Sequence, residues 1–155
     1  MSDRKPPRSA GDEFGVQRAL WQFQRQSFVD KLDGVSEADA AASAVGSGTS
    51  LLWLANHLAD AERLWIFTRF RGHAPDGLPG HADTVAGALD RYRRTWAEVD
   101  AVIDQCRPED PCSAFDDDPT PVNLRWIVGH LLEETARHAG HADILRELID
   151  GQTGR

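Results

Sequence analysis

The sequence predicts an all-α protein, a four-helix bundle, and three observations carry that reading. Four long stretches place apolar residues at steps of three, four and seven, the spacing of a single buried stripe on a helix. No stretch shows the period-two alternation of a strand, and no segment repeats another. Each helix has only one apolar face, and four such faces are buried most economically around one shared core. With 155 residues and 41% hydrophobic content, the chain is long enough to build that core without disulfides or other staples.

Residues 1–10 read as a disordered lead-in, polar and rich in Pro and Arg, and residues 11–155 as the bundle domain. The first helix is expected over Glu13–Leu32, where Phe14, Trp21, Phe28 and Leu32 share a face and Gly34 ends the run. Val35–Gly48 reads as a loop carrying one short turn, after which Thr49 or Ser50 caps a second helix over Leu51–Phe70. Its stripe is Leu54, Leu58, Ala61, Leu64 and Trp65, with His57 on the same face. Gly72–Gly80 is a Gly- and Pro-rich connection, and His73 and His81 beside it are expected to face solvent. The third helix, Asp83–Cys106, aligns Val85, Leu89, Tyr92, Trp96, Val99, Ile103 and Cys106 by alternate fours and threes. An acidic loop over Pro108–Pro121 contains the run DDDP. Asn123 then caps the fourth helix, Leu124–Asp150, whose stripe is Ile127, Leu131, Ala142, Leu145 and Ile149.

A formal charge of −8 without a basic cluster argues against nucleic acid and anionic membranes as partners, and no apolar run approaches membrane-spanning length. A cytoplasmic location is expected. Cys106 and Cys112 lack the spacing of a zinc or redox site and read as free thiols, with Cys106 as core filler. Five Trp and six Phe exceed what four inward stripes hold, and Trp53 and Trp126 project away from theirs, so a homodimer is admitted.

The functional signal lies inside the fourth stripe. At about 100° per residue, Glu134 and His138 project into the middle of the apolar arc, with His130 and His141 on its shoulder. A carboxylate and an imidazole aimed into an apolar core are costly unless compensated, and a divalent metal compensates both. With His57 from the second helix they make two imidazoles and one carboxylate, a set suited to Zn, Ni, Fe or Mn that leaves coordination positions open. Taken singly, each has a plainer reading: an inward His is usually a hydrogen-bonded core residue, and a Glu four residues before a His can be a surface pair. His130 and His141 read as outer partners, substrate contacts or surface residues. Glu62 falls on another side of its helix, as a solvated or interhelical charge.

Two segments, LLWLANHLADAERLW and LRWIVGHLLEETARHAGHADILRELIDGQTG, resemble the diagnostic segments of the DinB-like superfamily, in the actinobacterial branch similar to mycothiol-dependent maleylpyruvate isomerase. The resemblance runs from about Gly11 to the C-terminus. It implies an up-down-down-up bundle with a divalent metal held by His57, Glu134 and His138. Many DinB-like proteins carry His-x-x-x-His on the fourth helix, where this chain has Glu134-x-x-x-His138 as in the isomerase branch. The sequence runs only a few residues past the fourth helix, so the isomerase's C-terminal domain is not expected. The resemblance further implies a transferase or isomerase that uses a low-molecular-weight thiol such as mycothiol on a small electrophile. In that reading the edge position of His141 suits it to accept a proton or to orient a metal-bound water. The alternative is a non-catalytic metal-binding protein of stress responses.

Overall fold

The computed structural model describes residues 5–73, 80–113 and 121–153. The described residues form α1 (Glu13–Asp30), a five-residue α2 (Glu37–Ala41), α3 (Leu51–Arg63), α4 (Val85–Ile103) and α5 (Leu124–Asp150). A π-helical segment, Leu64–Phe70, continues α3. No strand is present among these residues, and no helix among them is long and apolar enough to cross a membrane. The first four residues of the expected lead-in, most of the Gly72–Gly80 connection and the DDDP run lie outside the described residues.

Each long helix starts on a side-chain cap. The side chains of Asp12, Ser50, Thr84 and Asn123 accept from the backbone N–H three residues on, which satisfies a donor the helix cannot. The start of α5 is thus where its sequence put it, and Gly151 ends it at φ 74°, a backbone angle that favours glycine. α1 stops at Asp30, two residues short of expectation, because the carbonyls of Lys31 and Asp33 turn instead to the Arg146 guanidinium at 2.9 and 2.7 Å.

Side-chain contacts fix the topology. Glu13, Trp21 and Lys31 meet Arg125, Thr135 and Asp143 in turn, so α1 and α5 run parallel. Arg91 reaches the Asn56 carbonyl and Arg63 reaches Glu98, so α3 and α4 are also parallel. His57 meets Glu134 while Trp65 meets His130, which sets α3 antiparallel to α5. The bundle is therefore up-down-down-up.

The core forms two apolar clusters. One gathers Phe28, Leu54, Leu58, Tyr92, Ala142 and Leu145; the other gathers Trp21, Ile66, Phe70, Val99, Ile127 and Leu131. Between them in chain order on three helices lie Arg25, Glu62 and Thr135, all buried. Arg25 donates to both Glu62 oxygens at 2.9 and 2.6 Å and to Asp100 at 2.9 Å, and its guanidinium lies 3.6 Å from the Trp21 ring centre. Burial alone would lower the Arg25 pKa, but Glu62 and Asp100 outweigh it and keep the guanidinium charged. Glu62 is an interhelical charge, as one of its two readings had it, and it is not solvated.

Two expectations fail for a shared reason. Leu64 is exposed and Trp65 only half-buried, while Ile66 and Phe70 are buried in their place. The stripe was projected with the 3.6-residue period of an α-helix. Beyond Arg63 the backbone bonds span five residues, as from the Arg71 N–H to the Ile66 carbonyl, and the wider turn rotates the inward face by about a residue. The third helix keeps its expected seam: Val85, Tyr92, Trp96, Val99 and Ile103 are buried, with Leu89 half-buried. Cys106 and Cys112 are half-buried at the edge of the second cluster, and the Cys112 thiol donates to the Arg69 carbonyl at 3.0 Å.

Candidate metal centre

Three side chains on two antiparallel helices converge where α3 crosses α5. His57 Nε2 lies 3.0 Å from Glu134 Oε1, and His138 Nε2 lies 3.1 Å from the same oxygen. The ligand-capable atoms of these residues all fall within 4.8 Å of one another. Glu134 and His138 occupy successive turns of α5, and the antiparallel crossing brings His57 to meet them. Both rings aim the same nitrogen at the carboxylate, with ring centres 4.7 Å apart and planes at 81°.

Electrostatics keep the group in its metal-binding form. Burial would raise the Glu134 carboxyl, but the hydrogen bond from His57 and the charge and hydrogen bond of His138 together hold it below the usual carboxylate range. Burial lowers the His138 imidazole, and His57 and His141 add to that against the pull of Glu134, so its ring is held below the ordinary histidine value. A carboxylate with two imidazole nitrogens facing it is a donor set that a divalent first-row cation takes.

The remaining histidines separate clearly. His141, expected on the shoulder, is exposed, and its Nδ1 lies 3.2 Å from Nδ1 of His138, on the ring edge away from Glu134. His130 stands outside the cluster, stacked on Trp126 with ring centres 5.2 Å apart and 4.4 Å from the ring of Trp65. His73 and His81 are exposed as expected, and His81 also contacts Asp60 at 2.6 Å.

Sequence reasoning missed Trp53, whose ring lies on His57 at 4.7 Å with planes 8° apart. The signal was present, since Trp53 stands four residues before His57, the spacing of helix-surface neighbours. Trp53 and Trp126 do project outward, and one face of each lies on a histidine ring. Also missed was a groove of about 460 Å³ that begins at His57 and Glu134 and runs along α3 past Asp60, Ala61, Arg63, Leu64, Trp65 and Thr68. Its far wall comes from the π-helical segment. A smaller cavity of about 240 Å³ opens beside His141, between Val45, Ser47, Thr49, Ile144 and Leu145.

A four-helix bundle in up-down-down-up order with a His/Glu/His cluster between its second and fourth long helices is a DinB-like protein. A model of the mycothiol-S-transferase family matches residues 17–151, and the chain belongs to that family. The bundle is similar to the crystal structure of a conserved protein from Enterococcus faecalis, at a TM-score of 0.66 and 18% identity over 92% of this chain and all of that one, a likeness of fold alone. No curated protein matches.

Proposed function

We propose that the protein transfers a low-molecular-weight thiol, mycothiol in the first instance, to a small electrophile at a divalent metal held by His57, Glu134 and His138. The convergence of those three ligand atoms within 4.8 Å, in a chain of this family, carries the reading. Zn or Ni suits the donors best, with Fe and Mn as the other candidates. A bound cation would supply Lewis acidity that makes thiolate available at neutral pH.

The chain's own residues do the rest. Glu134 and the two imidazoles provide three donors and leave the groove side open. Trp53 lies flat on His57 and fixes its ring plane. His141 meets His138 through Nδ1, which orients that ring, and its exposure lets it accept the thiol proton and pass it to solvent. The balance is simple: the sulfur forms a bond to the electrophilic carbon, the leaving group departs with the bonding pair, and the thiol proton goes to water through His141.

The test is elemental analysis of purified protein joined to a thermal-shift screen of thiols with and without metal. Mycothiol should raise the melting temperature only in the metal-loaded form. A metal-loaded protein indifferent to every thiol would favour a non-catalytic metal-binding role.

A further inference from the structure

We propose that the groove along α3 is the electrophile's binding site, and that it selects an uncharged, flat, largely apolar molecule. The proposal rests on the transferase reading and assigns the second substrate to one side of the cluster.

The groove starts on two of the three candidate ligands, His57 and Glu134, so a molecule lying in it has one end at the reacting centre. Its volume of about 460 Å³ suits one small organic molecule. Its charged residues are already engaged. Asp60 contacts Arg91 through one oxygen and His81 through the other at 2.6 Å, and Arg63 pairs with Glu98. A charged ligand would have to displace these pairs. The other walls are Ala61, Leu64 and Trp65, with the Thr68 hydroxyl as a polar contact. Trp65 packs against His130 at 4.4 Å and Trp126 at 5.5 Å, and the Arg69 guanidinium lies over its ring, 4.4 Å from the centre. An indole braced in this way offers a fixed aromatic surface at low entropic cost, which favours a flat partner.

The cavity beside His141 shares no lining residue with the groove. Ser47 and Thr49 contribute hydroxyls there, 2.9 Å apart, next to Ile144 and Leu145. His141 lines this cavity and meets His138 on the ring edge away from Glu134, so position sorts the two substrates: the electrophile on the His57 side of the cluster, the thiol on the His141 side. With a halonitroarene as electrophile, the thiol sulfur forms the new bond to the ring carbon, and chloride leaves with the electron pair of the bond that breaks.

Binding can be read without turnover. 1,3-Dinitrobenzene is flat and neutral and has no leaving group. Titrated into the metal-loaded protein, it should shift the indole N–H resonance of Trp65, assigned through Trp65→Phe, more than that of Trp53. Leu64→Glu places a charge at the exposed lip of the groove without touching the core. It should weaken dinitrobenzene binding and raise KM for 1-chloro-2,4-dinitrobenzene by about tenfold or more, the scale of a lost apolar contact in a pocket. KM for mycothiol should not move. Ile144→Glu, beside the other cavity, should do the reverse. If dinitrobenzene leaves Trp65 unshifted, or if Leu64→Glu raises the thiol KM instead, the assignment is overturned. Dinitrobenzene seated at Trp65 in a wild-type protein that turns over no electrophile with mycothiol would overturn the transferase reading and support the ligand class of the groove.

Discussion

Glu134 is shared between two imidazoles, and the same oxygen faces both Nε2 atoms. The geometry makes the three residues interdependent, since a cation between them would replace both contacts at once. Replacing His138 by Ala should lower metal affinity by more than the roughly 10- to 100-fold that loss of an outer partner costs. Metal content after dialysis, measured with circular dichroism, checks this, and helical content should persist. His73→Ala should leave metal content unchanged, because His73 is exposed and contacts the Arg71 carbonyl. The meeting of His57, Glu134 and His138 was legible in sequence because each sits at an inward phase of a regular α-helix. The cover by Trp53 and the separate company of His130 were not read, since both depend on which neighbour fills the space beyond a residue's own helix.

α3 and α5 carry the site, and they differed in how far their sequences disclosed them. α5 is 27 residues of unbroken α-helix between an Asn cap and a left-handed Gly, so both bounds could be read. Asn123 accepts from the Trp126 N–H at 3.1 Å. Asn123→Ala should cost about 1 kcal/mol and lower the melting temperature by roughly 2–4 °C for a chain of this size. Differential scanning calorimetry would read the shift, and Asn123→Asp, which keeps an acceptor, should restore most of it. α3 was legible only to Arg63. Nothing in LWIFTRF distinguishes a five-residue hydrogen-bonding step from the usual four, so the inward face was placed on Leu64 and Trp65. The wider turn sets Ile66 and Phe70 inward and leaves Leu64 and Trp65 to wall the groove. The error and the groove have one cause.

At the scale of the whole molecule, two apolar clusters lie on either side of a buried charged layer, and the layer joins all four long helices. Arg25 of α1 binds Glu62 of α3 and Asp100 of α4, while Trp21 beneath it donates to Thr135 of α5 at 3.0 Å. The number and faces of the helices could be read from apolar periodicity. The layer could not, because Arg25 and Glu62 are 37 residues apart and either alone looks like a surface charge. The apolar clusters are large enough that the metal-free protein should stay helical, with added Zn raising the melting temperature as a ligand does. The charged layer should matter more to folding than the metal does. Glu62→Leu would leave the Arg25 guanidinium buried with only the half-exposed Asp100 to balance it, at a cost of about 3–5 kcal/mol, the usual effect of breaking a buried pair from one side. The double variant Arg25→Met/Glu62→Leu removes both charges and fills the space with apolar atoms, so it should recover most of that loss. Urea denaturation of the two single variants and the double variant measures the coupling directly. Recovery would show that the pair specifies how the helices meet more than it adds stability. A double variant as unstable as Glu62→Leu would show that Asp100 and Trp21 depend on the guanidinium itself, and that the layer holds the four helices together as a unit.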